Sequence, residues 1–223
     1  KTNLLGAVDS TFKGSGTVGI TSANTGVYAL AINGSSLYVG GSFTLYRGAT
    51  VARLLKLNTS DGSSDATFAT TGANSTILSL AVANSSLYVG GAFTSFKGQA
   101  MNYLAKASLS DASPDLTFKS ALATTGTNRN VNAIYSDGSF LYVGGTFTAY
   151  RGTTTNCMMA VDHSTGDPDT TFRSVGGITG STVSINSISS RGDGTVTFGG
   201  NMMLYGGQVS PMIVTVGVNG VAN

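Results

Sequence analysis

The sequence predicts an all-β fold of the β-propeller kind, built from four repeats (blades) of about 50–55 residues. Three observations predict it. The first is a strand-like pentapeptide that recurs in phase: Leu37-Tyr38-Val39-Gly40-Gly41, Leu87-Tyr88-Val89-Gly90-Gly91, Leu141-Tyr142-Val143-Gly144-Gly145 and a worn copy, Val196-Thr197-Phe198-Gly199-Gly200, at spacings of 50, 54 and 55 residues. The second is Asp-x-Thr-Phe, which falls between them at Asp9–Phe12, Asp65–Phe68, Asp115–Phe118 and Asp169–Phe172. A fixed period of this length, made of short strands, means small sheets that cannot bury their faces alone and must stack on their neighbours. The third is composition. There is no Glu, all ten acidic residues are Asp, and Gly, Ser, Thr and Asn abound, so turn formers are plentiful and helix formers scarce.

Each repeat opens with an alternating apolar strand: Val27–Ile32, Ile77–Val82, Val131–Tyr135 and Ile185–Ser189. Its middle position is always small (Ala29, Ser79, Ala133, Ser187), which predicts close approach of a neighbouring sheet. A turn rich in Asn, Asp, Gly and Ser follows, as in Asn33-Gly34-Ser35 and Asp137-Gly138-Ser139, because these residues tolerate the positive φ of hairpins. The Leu-Tyr-Val-Gly-Gly strand comes next. Its glycine pair is expected where a side chain would collide with the next blade or the central channel. A third strand, for example Ala52–Leu57 or Met158–Val161, leads into an Asp-rich turn: Ser60-Asp61-Gly62, Ser110-Asp111-Ala112 and Thr165-Gly166-Asp167-Pro168. Phe12, Phe68, Phe118 and Phe172 are each expected to plug the space between adjacent blades. The variable stretches beyond them, such as residues 13–26 and 173–182, are expected to hold a weak outer strand and the crossing to the next blade.

The repeats, about 9–64, 65–114, 115–168 and 169–223, are expected to form a single domain, 1–223. Their register is circular. Residues 2–12 are therefore expected to complete the blade begun by the C-terminal strands, either in a closed four-bladed disc or by oligomerisation into a dimer of eight blades.

Taken together, Asp-x-Thr-Phe, the apolar strand, Asn-Gly-Ser or Asp-Gly-Ser, and Leu-Tyr-Val-Gly-Gly-x-Phe-Thr resemble the delta-60 repeat β-propeller family. The glycine pair that ends a strand is similar to that of kelch repeats. The resemblance runs from Asp9 to about Val216. It implies a propeller fold in a bacterial surface or secreted protein, and it carries no family-wide catalytic residues. The last copy departs from the pattern, with Asn201-Met202-Met203 where the first has Ser42-Phe43-Thr44, as an end blade or a blade at an interface would.

Charge and motif content narrow the function. With a net charge of +2 and only 10% charged residues, the chain has no clustered surplus of Lys and Arg for a phosphate backbone, so nucleic acid is not an expected partner. No run of 18 apolar residues occurs, so no membrane insertion is expected. Cys157 is the one cysteine and allows no internal disulfide; from a surface of hydroxyls and amides with few charges the protein is expected outside the cell or on the cell surface. The Asn-x-Ser/Thr tripeptides at Asn33, Asn58, Asn74 and Asn84 fit chance in a chain of this composition. His163 aligns with Thr59 in a turn and is expected to be solvated; Cys157 aligns with Arg53, Tyr103 and Met212 and is expected to be half-buried. Neither is repeated, no third group orients them as base and nucleophile, and two ligands are too few for zinc. No catalytic residue, metal or cofactor is expected. The paired aspartates, Asp61 with Asp65, Asp111 with Asp115 and Asp167 with Asp169, have the oxygens for Ca²⁺, but capping of their own turns explains the repetition without a metal.

The candidate binding residues lie in a repeated aromatic-basic-glycine tripeptide: Tyr46-Arg47-Gly48, Phe96-Lys97-Gly98, Tyr150-Arg151-Gly152 and the broken Tyr205-Gly206-Gly207. Radial repetition puts these loops at one radius on one face of the disc. An exposed aromatic beside a cation suits sugars or acidic groups. The competing reading is a hairpin whose Gly supplies positive φ, whose aromatic packs inward and whose cation is merely wet. The expected function is a non-enzymatic recognition or adhesion module that binds a cell-surface glycan or protein. The alternatives are a structural spacer or oligomerisation unit of a larger fibre and, less favoured, a glycan-active enzyme that would have to rely on Asp pairs in the absence of Glu.

Overall fold

A computed structural model describes residues 12, 19–20, 25–69, 72–118, 127–172, 178–179, 183–202, 204–205, 208–209 and 212–217. Each repeat folds into one three-stranded antiparallel sheet, its strands lying in chain order from inner to outer. The first sheet is Val27–Asn33, Ser36–Gly41 and Leu54–Asn58. The second is Ile77–Ala83, Ser86–Gly91 and Leu104–Ser108. Val131–Ser136, Phe140–Gly145 and Met158–Asp162 make the third, and Ser184–Ser190, Thr195–Asn201 and Ile213–Gly217 the fourth. Helix is nearly absent, as the composition requires: among the described residues there is one four-residue turn, Ala66–Ala69.

Among the described residues no fourth strand joins any of these four sheets. Between the middle and outer strands the chain makes a small hairpin, Leu45–Tyr46 with Ala49–Thr50 in the first repeat and its equivalents in the others. Residues from the stretch after each Asp-x-Thr-Phe bridge to it: Ile20 to Tyr46, Ala73 to Phe96, Thr127 to Tyr150 and Ile178 to Tyr205. The crossings expected over residues 13–18, 119–126 and 173–177 lie outside the described residues.

The two glycines of the pair have different reasons to be glycine. A Cβ on Gly40 or Gly90 would come within 2.5 Å of Ile77 or Val131 of the following sheet, and one on Gly144 would overlap Ile185 in the same way. This is the expected collision with the next blade. The second glycine departs from that expectation, because a Cβ on Gly41, Gly91, Gly145 or Gly200 would strike a carbonyl of its own repeat, that of Gly26, Thr76, Asn130 or Ser184. There the inner strand carries a bulge and crosses close over the middle strand. The small middle residue of the inner strand also meets a neighbour: the Ser79 hydroxyl accepts from the Ile134 amide of the third sheet at 2.9 Å.

Asp-x-Thr-Phe is a capped turn that delivers a ring. In Asp65, Asp115 and Asp169 one carboxylate oxygen accepts both the amide and the hydroxyl of the Thr two residues on. The Phe then enters the joint between sheets, where Tyr38 meets Phe68 at 5.5 Å, Tyr88 meets Phe118 at 5.9 Å and Tyr142 meets Phe172 at 5.6 Å between ring centroids. Phe68 shares its cluster with Tyr38 and Leu54 of the first sheet and Leu87, Ala105 and Ala107 of the second, so it plugs that joint as expected. Phe12 packs half-buried against a cluster of the first repeat that includes Val39 and Leu57 and contains no described residue of the fourth. Residues 2–11, expected to complete the last blade, lie outside the described residues.

Candidate recognition face

In all three described copies of the aromatic-basic-glycine hairpin, both turn residues have positive φ: Arg47 and Gly48 (48° and 80°), Lys97 and Gly98 (49° and 78°), Arg151 and Gly152 (52° and 81°). That is a two-residue turn of the I′ type, which favours Asn-Gly and makes a cation at its first position costly. The cation's reach explains why it is there. Arg151 Nη1 lies 2.6 Å from Asp167 Oδ1, in the Asp-rich turn of the same repeat. The Lys97 ammonium is disfavoured by partial burial and supported by Asp111. Arg47 donates to the Phe12 carbonyl at 3.3 Å, sits 5.2 Å from the Tyr46 ring and adds its charge to the field on Asp61.

The rings face the other way. Tyr46 and Tyr150 are 6% and 0% exposed, and Phe96 is fully buried. Tyr46 donates its hydroxyl to the Gly62 carbonyl at 2.7 Å, and Tyr150 donates to the Gly166 carbonyl at 2.6 Å, with burial raising both phenol pKa values. The inward-packing reading of the tripeptide therefore holds for the rings, and the partial exposure of Tyr46 and Tyr150 that an aromatic binding face requires is not found. The first and third hairpins hold the Asp-rich turn of their own repeat through the Tyr hydroxyl; in the second, which has no hydroxyl, Phe96 shares a core cluster with Ala112 of the turn and Asp111 supports the Lys97 charge. The apolar ring is the part that gains by leaving water. Tyr205 lies in the short strand Leu204–Tyr205 of the fourth copy; its side chain and residues 206–207 are outside the described residues.

What the clamp presents to solvent is the turn itself. The outer-strand turn and the inner hairpin share one face, pinned in the first repeat by the Thr59 amide donating to the Ser35 carbonyl at 2.9 Å. Asp61 and Asp111 are exposed there, and the Ser113 amide and hydroxyl draw the Asp111 carboxyl down to about 2. These carboxylates stay charged. The inner pair of aspartates is satisfied within the fold, with Lys56 Nζ 3.1 Å from Asp65 and Lys106 Nζ 2.9 Å from Asp115. Among the described residues no group of three or more His, Cys, Asp or Glu is placed to hold a metal ion. One triplet from each inner strand, residues 28–30, 78–80, 132–134 and 186–188, lines a central cavity of about 260 Å³.

The two residues considered for chemistry sit in the core. His163 is 4% exposed rather than solvated, because its turn lies in the joint with the second sheet. Its Nδ1 is 3.2 Å from the Tyr88 hydroxyl and its Nε2 3.2 Å from that of Ser136, while Tyr88 donates to the His163 carbonyl at 2.9 Å. Burial lowers the pKa of His163 and pushes Tyr88 up to about 12. Cys157 is buried rather than half-buried, and burial raises its pKa, the opposite of what activates a nucleophile. Its backbone φ is +71°, matching Arg53, Tyr103 and Met212 at +67°, +65° and +66°. Their carbonyls accept from the second glycines Gly145, Gly41, Gly91 and Gly200. This left-handed position recurs in every sheet on four unrelated residue types, so no residue signal could have revealed it. Asn74 and Asn128 were also missed: each side-chain oxygen accepts two amides of its hairpin (Thr94 and Ser95; Thr148 and Ala149), and their 54-residue spacing was the available signal.

A family model described as a beta-propeller domain of unknown function (DUF5122) matches residues 36–68, which run from the first middle strand to the first buried Phe plug. The chain is an all-β propeller. Two solved designed proteins agree on the fold. Ika4 is 13% identical with a TM-score of 0.50, over 83% of this chain and 94% of that one. Ika8 is 10% identical with a TM-score of 0.51, over 90% of this chain and 48% of that one. The WD40 beta propeller domain of Doa1 is 11% identical over 92% of this chain and 70% of that one, with a TM-score of 0.42. No curated protein matches the chain.

Proposed function

We propose that the protein is a non-catalytic recognition module of a bacterial cell-surface or secreted protein, which holds a cell-surface glycan or protein against the Asp- and Ser-bearing turns of one face. The observation that carries this reading is the clamp itself: in the first and third repeats the hairpin tyrosine holds the Asp-rich turn by its hydroxyl, and in the second Phe96 shares a core cluster with Ala112 of that turn, so the exposed polar groups of the turns are held in place. A preorganised polar surface loses little conformational freedom on binding. The propeller fold suits an interaction module, and the likeness to delta-60 repeats together with the charge-poor composition supports an extracellular setting. In this reading Arg47, Lys97 and Arg151 supply positive charge at the edge of the turns, while Tyr46, Phe96 and Tyr150 are their scaffold.

A glycan array and a panel of immobilised surface proteins test it, with two variants: Arg47→Ala/Lys97→Ala/Arg151→Ala and Asp61→Asn/Asp111→Asn. Binding should fall in at least one, and should weaken with salt, which screens exposed charges beyond about 10 Å at 0.1 M. Binding unchanged in both rejects the face. A second reading, an oligomerisation unit or spacer, is favoured by one observation: Leu30 and Ile32 on the first inner strand are 61% and 66% exposed.

A further inference from the structure

Two exposed residues of the first inner strand, Val27 and Leu30, have better-covered counterparts in the other repeats, with Ile188 of the fourth half-buried. Val27 is 45% exposed where Ile77, Val131 and Ile185 are fully buried, and Leu30 is 61% exposed where Leu80 and Ile134 are each 8%. What buries the counterparts is the same in each joint. Ile77 and Leu80 sit over Gly40 of the preceding sheet, Val131 and Ile134 over Gly90, and Ile185 and Ile188 over Gly144. By register, Val27 and Leu30 require a fourth glycine of this kind.

Gly199 is that glycine, and among the described residues no neighbouring sheet covers it. Among those residues, a Cβ built on it would meet only the Met212 carbonyl and Ser187 of its own repeat, both at 3.9 Å. Ile213, paired with it, is 64% exposed where its counterparts Leu54, Leu104 and Met158 are at most 1%. Inner strands pack first on second, second on third and third on fourth; among the described residues no packing of that extent joins the fourth sheet to the first. The two open faces also match in charge. Ser187, Thr197, Gly199, Ile213 and Thr215 bring no ionised group to the joint, and Val27, Leu30 and Ile32 bring none either.

From this we infer that the open face of the first sheet is a docking surface for the fourth sheet of a second copy of this chain, seating Val27 and Leu30 on Gly199. The inference rests on the oligomerisation reading and is independent of what the turn face binds. Its occupant is chosen by continuity, since the surface repeats three joints the fold already makes and the fourth sheet carries the matching glycine. The contact is front to back, so copies join head to tail and either close a ring or extend as a filament.

Light scattering of the intact chain across a dilution series, with thiol cross-linking, tests it. The wild type should associate with rising concentration, whereas Leu30→Lys should stay monomeric with an unchanged melting temperature, its side chain being already exposed. A mixture of Leu30→Cys chains and Ile213→Cys chains should yield a dimer with a short bis-maleimide, and neither chain alone should. A wild type that is monomeric throughout overturns both this inference and the oligomerisation reading. Association that survives Leu30→Lys overturns the docking face alone. A Leu30→Cys/Ile213→Cys chain that cross-links internally, at monomer mass, shows closure within one copy and overturns the second-copy assignment.

Discussion

Single side chains set the stability of the joints. Phe118 is fully buried against Tyr88, so Phe118→Ala should cost about 3–5 kcal/mol in urea unfolding, while Phe12→Ala, half-exposed, should cost less. His163 gives the joint a pH dependence. Its folded pKa is depressed by burial, so the unfolded chain takes up the proton first and the stability that neutral His163 contributes is present above the unfolded value of about 6.5 and declines as pH falls below it. The melting temperature should therefore begin to drop near pH 6.5, and His163→Asn should remove that upper part of the decline. Asp111 and Asp115, both held at about 2, govern a second, more acidic loss that begins below about pH 5 and survives the substitution. A melting temperature independent of pH between 7 and 5 in the wild type would count against a buried neutral histidine.

The hairpin and its turn behave as one element. Gly98 has φ +78° with open space around its Cβ position, so Gly98→Ala is strained by backbone conformation alone and should destabilise by roughly 1 kcal/mol in thermal unfolding. The cation's contribution is smaller. A double-mutant cycle on Arg151 and Asp167, partly exposed at 24% and 45%, should return a coupling of about 0.2–1 kcal/mol that shrinks with added salt. A coupling of zero would leave the repeated cation without its structural role and return weight to a binding one.

Across the whole molecule, the first glycine of each pair reports where a neighbour sits. Gly144→Ala would drive a Cβ into Ile185 and should destabilise by about 1–3 kcal/mol, the range for overpacking. Gly199→Ala meets nothing of that kind among the described residues. It should leave the dilute protein's stability within about 0.5 kcal/mol of wild type. Equal losses at the two positions would mean that the fourth sheet is covered in the monomer.

The repeat and its strands were legible in the sequence, because period-two apolar segments, turn residues and a phased glycine pair each follow from local backbone and burial requirements. The sequence also pointed to the buried Phe plugs at 68, 118 and 172, since a large ring recurring at a fixed place has to be buried somewhere, although Phe12 is only half-buried. It could not say which way Tyr46 and Tyr150 point, because an aromatic beside a cation fits either a binding surface or a clamp, and only the position of the Gly62 and Gly166 carbonyls decides between them. Nor could it find His163 in the core or the left-handed position shared by Arg53, Tyr103, Cys157 and Met212. Both depend on contacts between strands far apart in the chain. The tertiary structure alone showed that the fourth sheet leaves Gly199 open and the first leaves Leu30 bare, for a joint exists only where two sheets meet.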